Sequence, residues 1–94
     1  MTDAVKVTLY GTEHCSYCLA ARMLLTKKGI DFDEVSVSRD ATMRRRMEDM
    51  SGRRTVPQIF IGERAIGGFE ELDALDRDGT LDRLLGRTDD RAPQ

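Results

Sequence analysis

Hydrophobic and polar positions change period several times along this chain, and each change marks an element. Val5, Val7 and Leu9 alternate with Lys6, Thr8 and Tyr10, a period of two that predicts a strand with one face in a core. Gly11-Thr12-Glu13-His14 turns the chain. From Ser16 the spacing becomes helical, with Cys18, Ala21 and Leu25 on one stripe beside Leu24, until Lys27-Lys28-Gly29 supplies basic residues and a glycine stop. Phe32 to Val37 predicts a second short strand. Ser38 or Asp40 can cap the next helix, whose core stripe is Met43, Met47 and Met50 and whose end is Ser51-Gly52. Gln58 to Ile61 and Arg64 to Ile66, joined at Gly62-Glu63, predict a β-hairpin. Phe69, Leu72 and Leu75 mark a third helix ending at Asp78-Gly79, and Leu81, Leu84 and Leu85 a short last one capped by Thr80.

That order, βαβαββα, predicts an α/β fold. A right-handed crossover gives a parallel pair, the hairpin adds an antiparallel one, and the result is a mixed four-stranded sheet flanked by helices. At 94 residues the chain has material for one domain, residues 1–86, followed by a polar tail over 87–94. Apolar residues make up 39% and charged ones 34%, which suits a small, well-solvated globule. No apolar run approaches the roughly 20 residues of a membrane span, and Met1 to Lys6 lacks the pattern of an export signal, so a cytoplasmic protein with no membrane partner is expected. Fifteen Lys and Arg nearly balance 17 Asp and Glu with both signs scattered, so no nucleic-acid partner is expected either.

The chain has just two cysteines, Cys15 and Cys18. Such a pair can be a staple, half of a metal site, or a redox couple. A staple closing so short a loop would constrain little of the unfolded chain. Structural zinc wants four ligands, and the only other soft one, His14, is adjacent to Cys15 and badly placed to join both sulfurs around one ion. A reactive dithiol fits best a C-x-x-C near a βαβ pattern. Its members are unequal. Cys15 lies at a helix N-terminus, where unpaired N–H groups and the helix dipole favour a thiolate, whereas Cys18 is one turn inside and on the core stripe.

Three motifs, C-S-Y-C at Cys15 to Cys18, T-V-P at Thr55 to Pro57 and G-G-F-E at Gly67 to Glu70, fall beside the strands and helices just described. Through them the chain, from about Val5 to Leu85, resembles the glutaredoxin family of the thioredoxin-fold superfamily. The resemblance implies a glutathione-dependent thiol-disulfide oxidoreductase acting on protein disulfides and protein-glutathione mixed disulfides, with Cys15 as nucleophile and Cys18 as resolving thiol. It also implies glutathione as co-substrate. Thr55, Val56 and Pro57 would clamp its backbone about a cis Val56-Pro57 bond, the main chain of Gly68, Phe69 and Glu70 would meet its γ-glutamyl end, and Tyr17 would line the groove. Arg44 is the candidate for the glycine carboxylate, because Thr12 stands where many members have lysine. Arg45 and Arg46 read as a solvated helix face, and Arg53 and Arg54 as a source of positive field. Ser16 replaces a common proline. In family members with serine or glycine there, a 2Fe-2S cluster can be held between two subunits by one thiolate of the Cys15 type from each plus two glutathiones. A dimeric cluster carrier is therefore the alternative function, and a redoxin fed by thioredoxin reductase another; the expected state is a monomer unless a cluster is bound.

Overall fold

A computed structural model of the chain describes residues 5–86, so the expected tail at 87–94 lies outside the described residues. The elements are β1 (Val7–Gly11), α1 (Ser16–Lys27), β2 (Asp33–Ser36), α2 (Ala41–Ser51), β3 (Gln58–Ile61), β4 (Arg64–Gly67), α3 (Phe69–Arg77) and α4 (Thr80–Leu84). The strands form one sheet in the order β2-β1-β3-β4. β1 runs parallel to β2, with Leu9 opposite Glu34, and antiparallel to β3, with Leu9 opposite Ile59. β3 and β4 form the expected hairpin, irregular at Ile59/Phe60. The mixed four-stranded sheet flanked by helices that the element order predicts is present, in the thioredoxin-like arrangement that the resemblance implies.

Both faces of the sheet are covered. Successive strand residues point to opposite sides, so Val7, Leu9, Ile59 and Ile61 meet Ala21 and Leu25 of α1, Leu72 of α3 and Leu81 of α4 in one cluster. Tyr10 and Phe60 point the other way and pack with Val37 and Met47 in a second cluster. Alternation predicted a polar outer side for Tyr10, yet it is buried, its ring edge-on to Phe60 with centroids 5.5 Å apart. α2 supplies the cover that a strand-by-strand reading cannot see. Burying each such side chain contributes roughly 1.5–3 kcal/mol, so both clusters matter for a chain of this size.

Several element ends differ from expectation. Val5 lies before β1 and is exposed, and Met50, in the last turn of α2, is also exposed because it extends beyond the cluster that buries Met47. Asp40 is the cap of α2, its carboxylate accepting from the Met43 N–H at 3.0 Å. Ser38 turns instead to Glu13, to which its hydroxyl donates at 2.8 Å. Thr80 is the first helical residue of α4 rather than its cap. Gly79 holds the cap position at φ 84°, and the Asp78 carboxylate accepts from the Thr80 N–H.

Candidate active site

The chain leaves β1 at Gly11 and enters α1 at Ser16, which puts Cys15 at the N-cap of that helix. An N-cap side chain normally supplies an oxygen to an unpaired N–H of the first turn. Here a sulfur does so: the Cys18 N–H donates to Cys15 Sγ at 3.2 Å. Cys15 is partly exposed, and as a thiol it donates to the carbonyl oxygen of Val56 at 3.8 Å. Partial burial opposes ionisation of Cys15, but the Cys18 thiol, the N–H groups of Cys18 and Tyr17 and the Arg22 charge outweigh it, so its pKa lies below the ordinary thiol value. Cys18 is fully buried. Burial, then the neighbouring Cys15 sulfur, pushes its pKa up to about 11. One sulfur is thus held ready to ionise and the other is held as a thiol.

Cys18 is also confined sterically. A Cβ added at Gly11 would sit 2.9 Å from Cys18 Sγ, so the end of β1 approaches the Cys18 thiol as closely as glycine permits. Arg22, one turn beyond Cys18, donates to the Thr12 carbonyl at 3.1 Å and forms an ion pair with Glu34 of β2. These contacts fasten the loop before Cys15 to the helix that follows it.

Beside Val56 opens a cleft of about 330 Å³, within the range of small-ligand sites, lined by Tyr17, Arg53, Thr55, Val56, Pro57 and the first residues of α3 from Gly68 to Glu71. The Val56-Pro57 bond is cis. Gln58, the first residue of β3, holds this loop: its side-chain Nε2 donates to the Thr55 carbonyl at 3.0 Å and to the Thr55 hydroxyl at 3.2 Å, although the residue is only 1% exposed. Across the cleft, Gly67 at φ 117° and Gly68 turn the chain into α3. Glu71 fixes that turn by accepting from the Gly68 N–H at 2.8 Å, and its other oxygen faces Arg53 at 3.4 Å. The Gly68 hydrogen bond and the Arg53 charge hold its carboxyl below the usual range. Phe69 stacks on Tyr17, with centroids 6.4 Å apart and planes inclined by 28°, and also packs against the core.

The structure therefore brings Tyr17, Thr55, Val56, Pro57, Gly68, Phe69 and Glu70 to one cleft, with Cys15 at its edge and Cys18 beneath. Arg44 is elsewhere. Its guanidinium donates to the Arg54 carbonyl at 3.1 Å, and it lines a neighbouring depression along α2 with Arg45 and Glu48. Arg22, Arg53, Gln58 and Glu71 complete the site. The sequence carries a signal for Glu71, which stands three residues after Gly68 at the third helical position, and for Arg22, which follows Cys18 by one turn. Gln58 has no such signal. Among the described residues no group of three or more His, Cys, Asp or Glu could hold a metal ion. With Cys18 buried, one chain offers an iron-sulfur cluster the Cys15 thiolate alone, and the remaining ligands would come from a second chain and from free thiols.

The glutaredoxin family model matches residues 7–66, which include the dithiol and the Thr55-Val56-Pro57 segment. The chain belongs to the glutaredoxin family. It is 48% identical over 79 residues to glutaredoxin 3 of Escherichia coli, covering 84% of this chain and 95% of that one. It is 44% identical over 79 residues to a glutaredoxin of Pseudomonas aeruginosa, covering 84% and 94%. The solution structure of glutaredoxin from Brucella melitensis superposes with a TM-score of 0.78 at 43% identity over 89% of this chain and 91% of that one. A buckwheat glutaredoxin-glutathione complex gives 0.80 at 25% identity over 87% and 77%. A glutaredoxin redox role and a thioredoxin-like fold follow for this chain. No helix among the described residues is long and apolar enough to cross a membrane.

Proposed function

We propose that the protein is a glutathione-dependent thiol-disulfide oxidoreductase that reduces protein-glutathione mixed disulfides and protein disulfides. The observation that carries this reading is the position of Cys15, capping α1 with its sulfur while bordering a cleft lined by Val56. In a glutathionylated protein, the Cys15 thiolate attacks the glutathione sulfur, the mixed disulfide breaks, and the protein leaves as its thiolate. Glutathione then attacks the Cys15-glutathione disulfide, releasing glutathione disulfide and the Cys15 thiolate. With a protein disulfide, Cys15 attacks one sulfur, the disulfide breaks and the other sulfur leaves as thiolate. Cys18, three residues on, gives up its proton, attacks Cys15 Sγ and expels the second protein thiolate; two glutathiones then reduce the Cys15-Cys18 disulfide and depart as glutathione disulfide.

The lowered pKa of Cys15 assists departure more than attack. Nucleophilicity falls with basicity at a Brønsted slope of ~0.45, which offsets most of the gain in thiolate at neutral pH, whereas a less basic thiolate leaves faster. The cleft suits a small peptide thiol. Its centre offers the Val56 backbone for antiparallel pairing, and the α3 N-terminus offers N–H groups and the helix dipole to a carboxylate while Glu70 faces an ammonium group. The deciding experiment is turnover of a glutathionylated peptide with glutathione, glutathione reductase and NADPH. Wild type and Cys18→Ser should turn over and Cys15→Ser should not; turnover supported by thioredoxin reductase in place of glutathione would reject the proposal.

A further inference from the structure

The two ends of the segment that borders the thiol carry opposite charge. At the Thr55 end stand α2 and the turn after it: residues 39–54 hold six arginines against three carboxylates, a net +3 in a chain whose net charge is −2. Among the described residues Arg39, Arg45, Arg46 and Arg54 have no carboxylate partner, and Arg44 is tied to this end by its bond to the Arg54 carbonyl. At the Pro57 end stands the start of α3. A Cβ added at Gly68 would lie 3.3 Å from the Pro57 carbonyl oxygen. Of the four carboxylates in residues 68–76, Glu71 pairs with Arg53, Asp73 with Arg77 and Asp76 with Lys28, which leaves Glu70 without a cation partner among the described residues. Glu70 and Glu71 are the two that line the cleft.

We infer that this polarity selects protein substrates by direction: the site prefers a cysteine followed, on its C-terminal side, by acidic residues. The inference rests on the proposed function and deepens it. A peptide bonded through its cysteine to Cys15 lies against Val56, and pairing antiparallel to Thr55-Val56-Pro57 sends its C-terminal residues toward Arg54 and α2. Its N-terminal residues go toward Glu70 and Glu71. Acidic side chains after the cysteine then meet guanidinium groups without a carboxylate partner, which can take carboxylates bidentately. Those before it meet Glu70 and the already paired Arg53 and Glu71, which offer no such free cation. The occupant is thus an extended acidic segment of a disulfide-bearing protein.

Two isomeric peptides test this, each with one cysteine and three aspartates in an otherwise Gly/Ser sequence, the aspartates placed after the cysteine in one and before it in the other. Each is used as its disulfide-linked homodimer. Attack at either sulfur then leaves one peptide on Cys15 and releases the other as thiolate. Equal composition cancels nonspecific attraction, and the Cys18→Ser variant stops the reaction at the mixed disulfide. The isomer with C-terminal aspartates should react about tenfold faster at low ionic strength, the difference shrinking as salt screens it. Arg45→Glu/Arg46→Glu, both exposed positions, should reduce the ratio to within twofold while the rate with the disulfide of 2-mercaptoethanol stays unchanged. Equal rates, the reverse order, or a preference that survives charge reversal would overturn the inference. So would equally effective competition by a single-stranded oligonucleotide, which would assign the arginine face to nucleic acid. Absence of glutathione-coupled turnover of the 2-mercaptoethanol disulfide would instead defeat the proposed function itself, so the two failures are distinguishable.

Discussion

The Cys18 N–H points at Cys15 Sγ across 3.2 Å, so the backbone of the second cysteine stabilises a thiolate on the first. A side-chain replacement at Cys18 leaves that backbone donor in place. Alkylation of Cys18→Ser by iodoacetamide should therefore still follow a titration below the ordinary thiol value of 9.0. A rate that rises only around or above that value would show that the helix terminus does not acidify Cys15.

Cys18 makes the opposite contribution to stability. Its folded pKa, raised to about 11 from 9.0, means that the folded state keeps a proton the unfolded chain gives up. The stabilisation is complete below pH 9 and is lost as pH rises through 11. Urea titrations between pH 8 and 11 should show a steeper loss for the reduced wild type than for Cys18→Ala. Parallel curves would mean that burial does not shift this thiol.

Gly11→Ala places a methyl group against Cys18 Sγ. Relief requires the thiol or the end of β1 to move, at a cost of about 1–3 kcal/mol. Reduction of a protein disulfide, which needs Cys18, should slow several-fold more than reduction of a glutathionylated peptide, which does not. Equal slowing of both would place the damage at Cys15.

Gln58→Met preserves length and approximate volume but removes both hydrogen bonds to Thr55. The buried amide then no longer holds the loop that carries Val56. KM for glutathione should rise several-fold while the thermal midpoint changes by only a few degrees, as fits a loss of about 1 kcal/mol in a domain of this size. An unchanged KM would make Gln58 a core residue without influence on the cleft.

Glu71 serves Gly68 with one oxygen and Arg53 with the other. Glu71→Gln keeps an acceptor for the Gly68 N–H and loses the charge facing Arg53, while Glu71→Ala loses both. Removal of this helix-capping contact costs about 1 kcal/mol. Chemical denaturation should thus find Glu71→Ala less stable than Glu71→Gln. The native carboxylate is depressed, so its contribution is present above the unfolded pKa and fades as pH falls through the folded value. Equal stability of the two variants would remove the Gly68 contact from the account.

Period and punctuation in the sequence were enough to locate the strands and helices, because a strand or helix with one buried face writes its period into the chain. The same reading placed Cys15 on a helix start and Cys18 on a core stripe. It misplaced Tyr10, since burial on the second face depends on α2, more than 30 residues away, lying over Phe60. The family resemblance offers Arg44 for a ligand carboxylate; in the structure its guanidinium donates to the Arg54 carbonyl, and Arg53 lines the cleft.

By itself the sequence determined the inequality of the two thiols, because a helix terminus acts on the residue that caps it through local backbone geometry. It also determined the element order and hence the sheet. The motifs named Val56 and Gly68 for the surroundings of the thiol, but only the tertiary structure brought Gln58 and Glu71 to hold them. The β3-β4 hairpin pairs with β1 and delivers two distant turns to the same end of the sheet, where Gln58 holds the Thr55 loop and Glu71 the Gly68 turn. Side-chain reach and long-range packing settle such contacts, and neither leaves a period in the sequence.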